Sequence, residues 1–188
     1  DENSAGAVFG DLTTTDEDIG DSHTYTLSGA DKDSFEVVDG QLKLKDGIAA
    51  NYEVKNSYSV TVTATDTGGL TTSEDFTVTI NDINDKPTAV NLSGSLYVNE
   101  NVAGGIVGNL TTTDEDAGDE HEYTLSGDDA DSFEVVDDQL KLKDDINPVY
   151  ANQSSYNVTV TSTDSGGEAI SESYTVEVNA TPTDISLS

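Results

Sequence analysis

Cysteine, methionine, tryptophan and arginine are all absent from this 188-residue chain, and proline occurs only three times. Without cysteine there are no disulfides, no zinc–thiolate sites and no thiol chemistry. Positive charge is scarce: 7 lysines face 38 Asp and Glu, a formal net charge of −31. A polyanion of this kind cannot neutralise phosphates, which excludes DNA, RNA and anionic membrane surfaces as partners. No apolar run approaches the roughly 20 residues that span a bilayer, so no membrane insertion is expected in this segment. The chain opens at Asp1 without a methionine or a signal peptide, and reads as an excerpt from something longer.

High charge alone would suggest disorder. Two features oppose that: the apolar residues fall into short alternating runs, and the chain repeats itself at an offset of 98 residues. The stretch LTTTDED at 12–18 returns at 110–116, YTLSG at 25–29 returns at 123–127, and SFEVVD at 34–39 returns at 132–137. QLKLKD at 41–46 returns at 139–144. A period near one hundred is too long for a solenoid unit and suits a whole domain repeated in tandem. The expected division is 1–86 for repeat 1 without its first strand, 87–181 for repeat 2, and 182–188 as the start of a third. The tail PTDISLS at 182–188 echoes PTAVNLS at 87–93.

Each copy reads as all-β. Tyr58, Val60, Val62 and Ala64 alternate with Ser and Thr, and Phe76, Val78 and Ile80 repeat the pattern. Period-2 runs rich in Thr, Val and Tyr, punctuated by glycine turns, are half-buried strands. About seven such strands per copy predict two tandem seven-stranded Greek-key β-sandwiches of immunoglobulin-like type.

The acids cluster. Glu2-Asn3 recurs as Glu100-Asn101, Asp66 recurs as Asp164, and the group Asp16, Asp18 and Asp21 recurs as Asp114, Asp116 and Asp119. Asn51-Tyr52-Glu53 and the boundary stretch Asp82-Ile83-Asn84-Asp85-Lys86-Pro87 complete the set. Carboxylates held close with few cations to neutralise them repel, and a hard divalent cation relieves the repulsion by using their oxygens. Calcium takes roughly six to eight such ligands. In locally extended chain, Asp114 and Asp116 would lie on one side and could share an ion. The plain alternative is a solubilising surface, which suits scattered acids better than clusters recurring at strand ends. An EF-hand fits badly, because Leu27 stands where the bidentate Glu belongs.

These clusters resemble the motifs of tandem cadherin-type repeats. D-x-N-D-N-x-P is matched by residues 82–87, one residue short. The x-E-N motif is matched by Glu2-Asn3 and Glu100-Asn101, and D-x-D by Asp16/Asp18 and Asp114/Asp116. A-x-D is matched by Ala64-Thr65-Asp66 and, with serine first, by Ser162-Thr163-Asp164; L-D-R-E is kept in part as Asn51-Tyr52-Glu53. The variant G-D-x-H-x-Y at 20–25 and 118–123 is closer to cadherin-like repeats of large bacterial surface and secreted proteins. The resemblance implies about three calcium ions at the 1/2 junction. One would see Glu2, Asn51, Glu53 and Asp85. A second would share Glu2, Glu53 and Asp85 and add Asp116 and the Ile83 carbonyl. A third would see Asn84, Asp114, Asp116, Asp164, the Lys86 carbonyl and a group near Asp119. Asn51 replaces the family's Asp, and the shortened linker affects Lys86. The outer group Asp16, Asp18, Asp21 and Asp66 amounts to half a site for one weaker ion. Beyond copy 2, Val149 and Ala151 replace the counterparts of Asn51 and Glu53, and 179–182 lacks the linker acids, so no full cluster is expected there.

An enzyme is not expected: no G-x-S-x-G elbow occurs, and His23 and His121 occupy equivalent strand entrances. The resemblance implies an extracellular or cell-surface calcium-rigidified adhesion module. Its expected partners are other cadherin-like domains or, as the alternative function, extracellular polysaccharide bound in a calcium-dependent way. Tyr25, Tyr58, Tyr123 and Tyr156 read as core, as do Tyr52 and Tyr150 beside the metal motif. A further expectation is a homo-oligomer formed by strand exchange through the spare strand at the tail.

Overall fold

The computed structural model describes residues 1–182. The tail expected to start a third repeat, beyond Pro182, lies outside them. The chain forms two compact units, the first Asp1–Ile83 and the second from Asn84 onward. Both are built almost wholly of strands.

In unit 2 the strands are β7 Ala89–Gly94, β8 Tyr97–Asn99, β9 Ile106–Thr113, β10 Glu122–Ser126, β11 Phe133–Val136, β12 Gln139–Leu142, β13 Ser155–Thr163 and β14 Ala169–Asn179. They form two four-stranded sheets, ordered β11-β12-β9-β7 and β10-β13-β14-β8. The first strand of the sandwich is divided between the sheets: β7 pairs antiparallel with β9, and β8 pairs parallel with β14. Inner residues of the two sheets meet in one core, with Leu140, Leu142, Val160 and Val176 fully buried.

Unit 1 repeats this arrangement with β1 Val8–Asp11, β2 Thr24–Ser28, β3 Phe35–Val38, β4 Gln41–Leu44, β5 Ser57–Thr65 and β6 Thr71–Thr79. Its sheets, β1-β4-β3 and β2-β5-β6, have three strands each. Ahead of β1, Ala5 makes only an isolated bridge to Ala49. The alternation in β5 emerges as written, with Tyr58, Val60, Val62 and Ala64 buried and the Ser and Thr between them outward. In both units an aromatic pair closes the core edge to face, Phe35 on Tyr58 and Phe133 on Tyr156, each with centroids 5.9 Å apart. The hairpins β3–β4 and β11–β12 turn in two residues, both with positive φ: Asp39 and Gly40, and Asp137 and Asp138. That is the backbone twist a tight hairpin requires.

Phe76 departs from the expected core role. It is 38% exposed, as is Phe9. In unit 2 the matching positions are covered: Val107 is 2% exposed, and the Tyr174 hydroxyl donates to the Val90 carbonyl in β7 at 2.8 Å. What differs is the strand β7, which unit 1 lacks among its described residues. The identical leucines at the head of LTTT make the comparison measurable. Leu110 is 2% exposed, whereas Leu12 is half-buried. Leu110→Ala is expected to cost about 2–5 kcal/mol of unit 2 stability. Leu12→Ala should cost unit 1 clearly less, because only part of its surface leaves water on folding. Urea denaturation read from unit-specific NMR signals checks both; equal costs would contradict the assignment.

Candidate metal centre

The acids collect at loops where strands end, and each unit organises its own set. In unit 1, Glu2 is only 1% exposed. Its position follows from Asn3, which takes a left-handed φ of 59° and donates its backbone N–H to the Ala50 carbonyl. Asn tolerates that conformation better than most side chains, so the Glu-Asn pair turns the chain and drives the carboxylate inward. Glu2 accepts backbone N–H groups from Tyr52 at 2.7 Å and Ile83 at 2.9 Å. Burial by itself would raise the Glu2 pKa. The two backbone donors and a hydrogen bond with Glu53 outweigh it, leaving the carboxyl below its ordinary 4.5.

Glu53 is shifted the other way. Its own backbone N–H favours the charged form, but desolvation and the negative charges of Glu2 and Asp82 prevail and lift its pKa above the usual carboxylate value. Glu2 and Glu53 therefore form a strained acidic pair sharing a hydrogen bond. Asn51 spends its side-chain oxygen on the Val54 N–H at 2.8 Å, closing a local turn, and its carbonyl accepts from Lys55. The second acidic group of unit 1 brings carboxylate oxygens of Asp16, Asp21 and Asp66 within 4.8 Å of one another. Asp18 contributes to it through its backbone, donating to Asp16 at 3.0 Å.

In unit 2 the boundary residues are already part of the fold. The Asn84 carboxamide donates to Asp164 at 3.1 Å and to the Asp85 carbonyl at 3.0 Å. Asp85 donates its backbone N–H to Asp116 at 2.7 Å. Asp164 is 6% exposed and also accepts the Glu168 N–H at 2.8 Å. Gly166 makes room for this: a Cβ there would fall 2.2 Å from the Asn84 carboxamide. Ligand-capable atoms of Asp114, Asp119 and His121 lie within 4.8 Å of one another. Lys86 is exposed, and Ile83 is 41% exposed with its N–H committed to Glu2.

The Asp114–Asp116 pair differs from expectation. It sits in a turn outside β9, where the Asp116 N–H donates to an Asp114 carboxylate oxygen at 3.2 Å. A short carboxylate competes with the sheet ladder for a nearby N–H, and here it bends the chain instead of extending it. Two kinds of partner escaped the motif reading. His23 pairs with Asp16 at 3.0 Å and His121 with Asp114 at 2.9 Å. Thr67 and Ser165 donate their hydroxyls to Asp21 and Asp119. The Ser165 hydroxyl holds Asp119 below the ordinary aspartate range, with backbone donors adding to it against burial. The Asp18 N–H, and then His23, do the same for Asp16. The signal for these partners was their recurrence at the 98-residue offset beside each acid. Lys32, Lys43, Lys55 and Lys141 pair with acids elsewhere.

At the far end of copy 2, Glu100 occupies the place of Glu2 and meets the matching backbone donors together with one hydroxyl. It accepts the Thr181 hydroxyl, the Thr181 N–H at 2.8 Å and the Tyr150 N–H at 3.3 Å. The Thr181 donors, hydroxyl first, hold its pKa low. Among the tyrosines, Tyr58 and Tyr156 are buried, and Tyr25, Tyr52 and Tyr123 pack against the cores. Tyr150 corrects its expected core role: it is 49% exposed. Ala151 follows it where Glu53 follows Tyr52, and the turn is held through the Tyr150 backbone rather than its ring.

No protein-family model matches the chain. Its structure is similar to human protocadherin-24 EC1-2 in a second crystal form, with a TM-score of 0.77 and 22% identity over 96% of this chain and 92% of that one. It is similar to a protocadherin gammaB7 EC3-6 cis-dimer structure, with a TM-score of 0.67 and 24% identity over 94% of this chain. PcdhgB3 EC1-4 gives a TM-score of 0.75 at 23% identity. The chain spans 43% and 46% of the latter two. These likenesses establish the fold, that of cadherin extracellular domains.

The opposed shifts of Glu2 and Glu53 yield a test. A raised folded-state pKa means that folding favours the protonated Glu53, so its contribution is full below about 4.5 and is lost as pH rises through the folded value. Glu53→Gln in calcium-free buffer should therefore raise the unit 1 urea midpoint at pH 7, with the advantage vanishing below pH 4.5. A lower midpoint at pH 7 would contradict the reading of Glu53 as repelled.

Proposed function

We propose that the chain is a calcium-binding, cadherin-like adhesion module pair of a larger extracellular protein. Calcium shared across the seam between the two units would fix their angle. The observation that carries this reading is the acidic pair in unit 1. Glu2 is buried and ionised beside a Glu53 whose charge is opposed by Glu2 and Asp82. Such a pair gains from a divalent cation.

Glu2, Asn51, Glu53 and the Ile83 carbonyl would supply oxygens from the first unit. Asn84, Asp85, Asp114, Asp116, Asp119, Asp164 and the Lys86 carbonyl would supply them from the second. Calcium would neutralise acids that otherwise repel, and its roughly six to eight oxygen sites would tie both sets to the same ions. His23 and His121 would position Asp16 and Asp114; imidazole is a poor calcium ligand beside so many oxygens. The group Asp16, Asp21 and Asp66, with Asp18, would hold one weaker ion. Glu100, with Ala151 in the place of Glu53, would hold none. The G-D-x-H-x-Y variant supports a bacterial surface or secreted parent, and cadherin-like domains of other molecules are the proposed partners.

Calorimetric titration with calcium tests the proposal. Wild type should bind with dissociation constants of about 10⁻⁴–10⁻³ M, as extracellular modules do. Asp116→Asn and Asp164→Asn should remove most of that heat, whereas Asp66→Asn should remove only a minor component. Isotherms of the first two variants that superimpose on wild type would refute it.

A further inference from the structure

Unit 2 carries its acids on loops that leave opposite sheets. Asp114 follows β9 by one residue and Asp164 follows β13 by one residue, and β9 and β13 belong to different sheets. Backbone hydrogen bonds fix spacing within a sheet. Between sheets only side chains do, and apolar packing has no direction. The gap between these two acids is therefore set by whatever joins the sheets beside them.

What joins them is a hydroxyl contact. Ser162 is 0% exposed, and its Oγ lies 2.6 Å from Thr112 Oγ1. Thr112 shares the inner face of β9 with Leu110, and Ser162 that of β13 with Val160. Each stands two residues before its acid. The hydroxyl of Tyr123, the register partner of Ser162 on β10, lies 3.0 Å from the same Thr112 oxygen. A hydroxyl both donates and accepts, so one run of hydrogen bonds serves all three. In unit 1, Thr14 and Tyr25 keep their contact at 3.0 Å, but Ala64 stands in the place of Ser162 and offers nothing to extend it to β5. The boundary residues give a second observation. The Asn84 carboxamide donates to Asp164, and the Asp85 N–H donates to Asp116. Two consecutive residues thus touch both loops, and their Cα atoms are held about 3.8 Å apart. They reach both only while the loops keep one spacing.

We infer that Ser162 is a positioning residue: its bond to Thr112 clasps the two sheets and presets the gap between the Asp114 and Asp164 loops for a divalent cation. This rests on the calcium reading above. Ser162 touches no ion and acts through the loops it holds. Without the clasp the loops sample wider spacings, and the cation must supply ordering that the clasp otherwise provides in advance. A hydroxyl pair that served stability alone would leave calcium affinity unchanged, which separates the two roles.

The test uses the 188-residue chain with Ser162→Ala (the residue unit 1 already carries), Thr112→Val (which keeps the branched shape) and the double variant. The Glu168 N–H donates to Asp164 at 2.8 Å. In calcium-free buffer it should exchange with deuterium faster in each variant, relative to the core amides of β13. In calorimetric titration each single variant should bind calcium about two- to tenfold more weakly than wild type, the range one net hydrogen bond supplies. The double variant should be no weaker than Thr112→Val alone, because both lack the same bond. Additive losses would assign the effect to packing and overturn the inference. Wild-type affinity in both single variants, or unchanged exchange at Glu168, would overturn it too. If wild type itself gave no calcium heat, the calcium reading would fall and this inference with it, an outcome distinct from failure of the clasp alone.

Discussion

Carboxylates brought close with few cations to offset them govern the acidic loops of this molecule. With 38 acids, 7 lysines and no arginine, charge compensation from within the chain is impossible in bulk. Most acids escape the problem by facing water. Glu2 cannot, because the left-handed turn at Asn3 sends it inward, where two backbone N–H groups keep it ionised. Its charge then falls on Glu53, whose proton affinity rises. The fold thus holds a repulsion that the proposed cation would relieve.

The second copy shows the same framework released from that constraint. Glu100 follows the same turn geometry, with Asn101 at a φ of 62°. Its backbone donors, Tyr150 and Thr181, match Tyr52 and Ile83 at Glu2, but Ala151 stands where Glu53 would crowd it, and the Thr181 hydroxyl donates as well. The losses of Glu53's and Asn51's counterparts and of the linker acids occur together with one added donor, the Thr181 hydroxyl.

Much of this was legible in the residues. Period-2 alternation fixes which face of a strand is buried, so Tyr58, Val60, Val62 and Ala64 could be assigned by inspection. The repeated motifs likewise located the acids. What could not be read was anything that depends on the local backbone donors. The Asp114–Asp116 pair looked extended but bends, because a carboxylate captures the N–H two residues on. Asn51 looked like a free ligand, but its oxygen closes a turn on Val54. His23 and His121 gave no sign of their pairing with Asp16 and Asp114 beyond recurring at equivalent places. Phe76 alternates like a core residue, yet its burial depends on a strand that only the second unit describes. Pattern reports the face a residue points to; it does not report what lies opposite.

The proposal is mechanical: calcium would join oxygens of both units and restrict their relative motion. Small-angle X-ray scattering of the same sample in millimolar calcium and then in EDTA tests it most directly. The account predicts a defined maximum dimension with calcium and a broadened, more flexible distribution of distances once it is removed. Superimposable profiles in the two conditions would contradict it.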